Sequence, residues 1–169
     1  MDIPMEIREV PKEPKPEDFK DGEVPILARI QYDFDKQRHQ WNKTLLELYS
    51  KLDKVKNLGE IQVLMLSYSQ ILTDEVAFLN KHLQNRREAY RNQKASNLER
   101  MDARKANKSS NYGEWQEKNV YLESSLSSEQ KKIDMLKNQI EFFNSTKETL
   151  KQLGYSLKYR ISLYEMGFE

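Results

Sequence analysis

The sequence predicts an all-α protein: an elongated helical hairpin with an additional N-terminal helix and a short C-terminal oligomerisation helix. Three observations predict it. Apolar residues recur at steps of three, four and seven with charges between them, and nowhere show the period of two that a half-buried strand requires. All five prolines fall within the first 25 residues, so nothing beyond Pro25 forbids a helix. Five glycines in 169 residues are too few to supply the closely spaced turns of an all-β chain.

Composition narrows the function classes. Charged residues make up 33% and hydrophobic residues 37%, a balance that suits extended helices better than a compact globule. Cysteine is absent, which excludes disulfides, thiolate metal sites and a cysteine nucleophile and fits a reducing cytosol. No apolar run approaches the ~18 residues of a membrane span. The start, Met1-Asp2-Ile3-Pro4-Met5-Glu6, lacks the basic-then-apolar pattern of a signal peptide. The expectation is one domain with a tail, cytoplasmic, with no membrane partner.

Residues 1–25 carry eight acids against four bases, a local charge of −4, and little apolar surface. Such a segment reads as a disordered leader, with a masking tail for a basic surface as its functional alternative. Residues 26–58 form the N-terminal helix, with Ile30, Phe34, Trp41, Leu45, Leu48, Leu52 and Val55 on its apolar face. Residues 60–154 form the hairpin. Its first arm carries Ile61, Leu64, Met65, Tyr68, Leu72, Val76, Leu79 and Leu83, after which the stripe thins into basic residues. Its second arm carries Leu122, Leu126, Ile133, Leu136, Ile140, Phe143 and Leu150 at heptad-like spacing. Residues 107–113, rich in Asn, Ser and Gly, form the turn between the arms. Gly59, Gly113 and Gly154 stand where the pattern breaks and read as helix-ending glycines. In residues 155–169, Leu157, Ile161 and Tyr164 share one face of a helix too short to hold alone. The hairpin seam is taken up by Leu126, Ile133, Leu136 and Ile140, so a second subunit is expected to cover that face.

Charge singles out residues 79–108. Nine bases stand against Glu88, Glu99 and Asp102, a local charge of +6 in a chain whose net charge is +1. Phosphate backbones reward clustered Lys and Arg through counterion release, and unstacked bases reward exposed aromatics. Candidate nucleic-acid contacts are therefore Lys81, Arg86, Arg87, Tyr90, Arg91, Lys94, Arg100, Arg104, Lys105 and Lys108, with Tyr112 and Trp115 beyond the turn. Arg87, Arg91 and Lys94, spaced four and three, share one helix face; Arg100 and Arg104 repeat the four-step spacing. The competing reading is a solvated helix face. His39 and His82 have no second ligand at metal spacing, and Glu75 and Glu88 read as members of solvated faces, not an acid–base pair. No metal, cofactor or catalytic residue is expected.

Leu79-Asn80-Lys81-His82, followed by Arg86-Arg87-Glu88 and Arg91, resembles the helix of UvsY-type recombination mediators of tailed phages. There a Leu-Asn-Lys-His segment leads into a Lys/Arg-rich helix. The stretch from Gly154 to Ile161 resembles that family's closing Gly-Phe-x-Ile-Lys-x-x-Ile helix. The likeness extends over about residues 60–167 at low identity and rests on the order and separation of the two motifs. It implies a ring-like homo-oligomer, assembled partly through the C-terminal helices, that acts in DNA recombination, repair and replication. Such a protein binds single-stranded DNA and helps load a RecA-like recombinase onto strands covered by single-strand-binding protein, here in the host cytoplasm. The family's basic residues near the end of the long helix fall near Arg100, Arg104 and Lys105. Met101 and Ala103 depart from the basic pattern, and the family's aromatic-glycine helix end survives only as Tyr112-Gly113. Residues 1 to about 55 have no counterpart in that pattern. The alternative function is a helical structural, scaffold or assembly protein of a phage particle, which has no need to concentrate positive charge on one helix.

Overall fold

The computed structural model describes residues 9–52, 58–105 and 113–167, and among them is entirely helical apart from turns and irregular segments, with no strand. The helices are α1 (Ile26–Leu52), α2 (Leu58–Lys105) and α3 (Gly113–Glu165). None is long and apolar enough to cross a membrane. Val55 and the turn expected around 107–112 lie outside the described residues. Residues 9–25 are irregular except for a 3-10 turn, Pro16–Asp18, where the Asp18 carboxylate accepts from the Lys15 N–H at 3.0 Å. The Pro25 carbonyl accepts from the N–H groups of Ala28 and Arg29, so α1 begins directly after the last proline.

The chain divides into two compact units, residues 1–77 with 139–169, and residues 78–138. In the first, α1 buries Leu45, Leu48 and Leu52, and the start of α2 buries Leu58, Ile61, Met65 and Leu72. The end of α3 buries Gln139, Phe143, Thr146, Leu150, Leu153 and Leu157. Those six positions advance by four and three alternately, which holds one face toward the core. Phe143, Leu150 and Leu153 are almost completely covered, each worth roughly 1.5–3 kcal/mol. The polar members of the seam are satisfied. Gln139 Oε1 accepts from Arg38 Nε at 2.8 Å and its Nε2 donates to Gln37 Oε1 at 3.1 Å. Thr146 Oγ1 donates to the Phe142 carbonyl at 2.9 Å. Sequence periodicity in apolar residues alone passed over both.

In the second unit α2 buries Leu79 and Leu83, and α3 buries Leu122, Leu126 and Ile133. Arg86 meets Glu129 and Asn97 meets Ser125, so partners run in opposite order along the two helices.

All three glycine boundaries differ from the sequence expectation: Gly113, read as a helix-ending glycine, is the first residue of α3. Gly59 is the second residue of α2, and Gly154 lies inside α3, so residues 155–165 continue that helix and do not form a separate one. The seam explains it: Leu150, Leu153 and Leu157 keep their spacing across Gly154. An interior glycine costs about 1 kcal/mol against alanine, less than burying one leucine returns. The glycine that follows the end of α3 is Gly167, at φ +78°, whose N–H donates to the Tyr164 carbonyl at 3.0 Å. Covering of the 155–165 stripe also differs. Leu157 is 2% exposed within its own chain and needs no second subunit to hide it. Arg160 reinforces that packing by donating to the Leu52 carbonyl at 2.9 Å. Ile161 is half-buried and Tyr164 remains 55% exposed.

Candidate nucleic-acid interface

Sequence charge and structural units coincide. Residues 78–138 hold thirteen bases and eight acids, a charge of +5, while the other unit sums to −4, equal to the charge of residues 1–25. Positive potential is therefore concentrated on the second unit.

Its helix–helix seam changes character along α2. Leu79 and Leu83 are buried, but Tyr90 and Asn97, which follow Leu83 at steps of seven, are only half-buried. Asn97 Nδ2 donates to Ser125 Oγ at 3.1 Å, and Arg86 Nη1 donates to Glu129 Oε2 at 3.2 Å. Glu129 also accepts from Lys132 one turn along α3. The Lys132 hydrogen bond, with the positive charges of Lys132 and Arg86, holds the Glu129 carboxyl below its ordinary range against the opposing effect of burial. Arg86 is thus engaged in holding the two helices together.

The exposed bases divide by face. Arg87, Arg91 and Lys94 are exposed along one flank and make no ion pair with the described residues, as does Arg100 on another face. Lys81 lies six residues before Arg87, and Arg100 six after Lys94. Six residues at about 100° each leave a side chain about 120° round the helix, here in opposite senses. Lys81 and Arg100 therefore stand apart from the flank, and Tyr90 borders it from the seam. Arg104 and Lys105 belong to the last turn of α2, with side chains outside the described set; Lys108 and Tyr112 lie outside the described residues, as does the side chain of Trp115. Sequence reasoning missed exposed apolar and aromatic side chains in this unit, among them Leu98 and Tyr121. Leu98 continues the flank four residues after Lys94, and Tyr121 presents an exposed ring on α3 next to buried Leu122. Counting outward from the Leu122–Leu126 seam would have found Tyr121.

His82 stacks edge-on against Phe78, ring centroids 4.4 Å apart, one turn away on α2. No group of three or more potential metal ligands occurs among the described residues.

Glu129 sets a pH dependence. Its folded-state pKa is depressed, so the stability it contributes is present above the ordinary carboxylate range near ~4.3 and is lost as pH falls through the folded value. Because Arg86 is partly solvated, the contribution is discounted to about 1 kcal/mol. Glu129→Gln is expected to melt a few degrees below wild type at neutral pH and to match it in strong acid. An equal gap at both pH values would show that charge pairing is not the cause.

No protein-family model, curated protein or solved structure matches this chain.

Proposed function

We propose that this chain is a non-enzymatic recombination mediator that binds single-stranded DNA through the Arg87–Arg91–Lys94 flank of α2. Bound as an oligomer, it helps load a RecA-like recombinase onto strands covered by single-strand-binding protein. The observation that carries the reading is the flank itself: three exposed bases on one helix face, without carboxylate partners among the described residues, in a unit of charge +5. Each phosphate neutralised there releases condensed counterions. Tyr90 beside the flank and exposed Tyr121 offer rings to unstacked bases, which a duplex does not present. The antiparallel arms of a helical hairpin would hold the flank rigid, with the Arg86–Glu129–Lys132 cluster as its brace. The motif at Leu79-Asn80-Lys81-His82 and the order of the two family-like segments support mediation over general DNA coating.

A loading assay tests the reading. With single strands pre-covered by single-strand-binding protein, the chain is expected to shorten the lag before a RecA-like recombinase begins strand-dependent ATP hydrolysis. An unchanged lag at saturating protein would remove the mediator role. The competing structural or assembly role draws support from apolar side chains left exposed in the other unit, among them Val63 and Leu66. A chain acting only in that way would leave the lag unchanged and bind single strands no better than other helical proteins of similar charge.

A further inference from the structure

The first unit holds an open cleft of about 360 Å³, lined from all three of its helices. From α1 come Gln37, Gln40, Trp41 and Thr44, whose spacing of three, one and three keeps them on one helix face. From α2 come Tyr68 and Glu75, seven residues apart, and α3 adds Phe143, which is 1% exposed and belongs to the core. Trp41 meets Tyr68 edge-on, centroids 5.7 Å apart and planes 87° apart, so the two rings form a corner and not a stack.

Glu75 is the one charged residue of this lining among the described residues. It is half-buried and makes no hydrogen bond or ion pair with them. Its neighbour Asp74, by contrast, accepts from Gln70 Nε2 at 2.9 Å. The cations of α1 are placed elsewhere. Arg38, adjacent to Gln37, donates to Gln139, pairs with Asp35 at 3.7 Å and lies over the Phe142 ring. His39 and Lys43, each two residues from Trp41, stand about 160° away from it round the helix. Two oxygens beside the rings can still accept. Thr44 Oγ1 donates to the Gln40 carbonyl at 3.0 Å, which leaves its lone pairs, and the Gln40 side chain is exposed.

We propose that this cleft receives one arginine side chain from a partner protein. Aromatic faces attract a cation, and a carboxylate without a partner supplies the opposite charge. A guanidinium suits both at once. It is planar and weakly hydrated, so it can lie against a ring while its fork of N–H groups donates to the Glu75 carboxylate. The Gln40 amide oxygen and the Thr44 hydroxyl accept from what remains of its five donors. A lysine ammonium keeps its hydration and has no flat face to stack. A nucleobase could stack as well, but its strand would bring phosphates to a lining whose charge is negative. The cleft lies outside residues 78–138, so the inference does not rest on DNA binding and is tested without nucleic acid.

The test is a titration of the full chain with N-acetyl-arginine amide, followed by the NMR signal of the Trp41 indole N–H. A saturable shift is expected, with a dissociation constant of about 1–10 mM for a single side chain. The lysine counterpart is expected to bind about tenfold more weakly, and the citrulline counterpart, equal in shape but neutral, to leave the signal in place. Glu75→Gln should weaken arginine binding at least about tenfold with helix content unchanged, while Glu60→Gln, at an exposed acid of the same helix, should bind as wild type. The citrulline comparison uses the wild-type chain and stands whatever the variant does to folding. Absence of a saturable arginine shift, equal binding of citrulline, or unchanged binding by a folded Glu75→Gln overturns the proposal. Guanosine monophosphate binding at Trp41 more tightly than arginine also overturns it and assigns the cleft to a base.

Discussion

Replacing Arg87, Arg91 and Lys94 together by alanine is expected to weaken single-strand binding about 100-fold at 0.1 M salt. The size follows from counterion release: each phosphate contact on a single strand contributes about 0.7 to the slope of log affinity against log salt. Three lost contacts flatten the slope by about 2, and at one decade below 1 M salt that amounts to about two decades of affinity. Helix content should hold or rise, since alanine is the best helix former and none of the three pairs with α3 in the described structure. The contrast is Arg86→Ala, which removes the brace to Glu129 and should lower the melting temperature more than the salt slope. A triple variant with an unchanged slope would place the phosphate contacts on another face.

Leu157 carries the second large effect. It is 2% exposed and sits in the run Leu150, Leu153, Leu157 that forms the core side of α3. Leu157→Ala should cost about 2–5 kcal/mol, through lost transfer energy and the cavity left behind. Leu157→Asp should cost more still and unfold the first unit, because burial strips a carboxylate of its hydration. Tyr164→Ala, at a position 55% exposed, should change stability by less than about 1 kcal/mol. Urea denaturation separates these outcomes from an assembly role. If Leu157→Ala kept the wild-type midpoint but lowered the mass in solution, its partner surface would belong to another subunit.

The helical class was legible because it depends on spacing, and spacing survives in sequence. The start of α1 after Pro25 could be read directly, since proline acts on the backbone locally. Gly154 could not, because whether a glycine ends a helix is decided by what lies beyond it. Here Leu157 and the Arg160 contact with Leu52 continue the packing, and that depends on α1, more than 100 residues away in sequence. Gln139 was hidden for a similar reason: a glutamine reads as surface until Arg38 and Gln37 are brought to it. At the candidate interface, the flank of Arg87, Arg91 and Lys94 was visible as a four-and-three spacing. The diversion of Arg86 to Glu129 was not, since no local signal says which base meets a carboxylate across the seam. The exposed side chains of Val63 and Leu66 were lost within a helix whose other side was already accounted for as core.

We propose that the basic flank of α2 recognises single strands by phosphate and base together. The direct measurement is a salt titration of binding by the full chain, comparing an oligonucleotide as a single strand and as a duplex of the same length. The expected result is a tighter single-strand complex at every salt concentration, with a residual preference at high salt where stacking outlasts the screened phosphate contacts. Equal affinities for both forms, or a preference for the duplex, would contradict it.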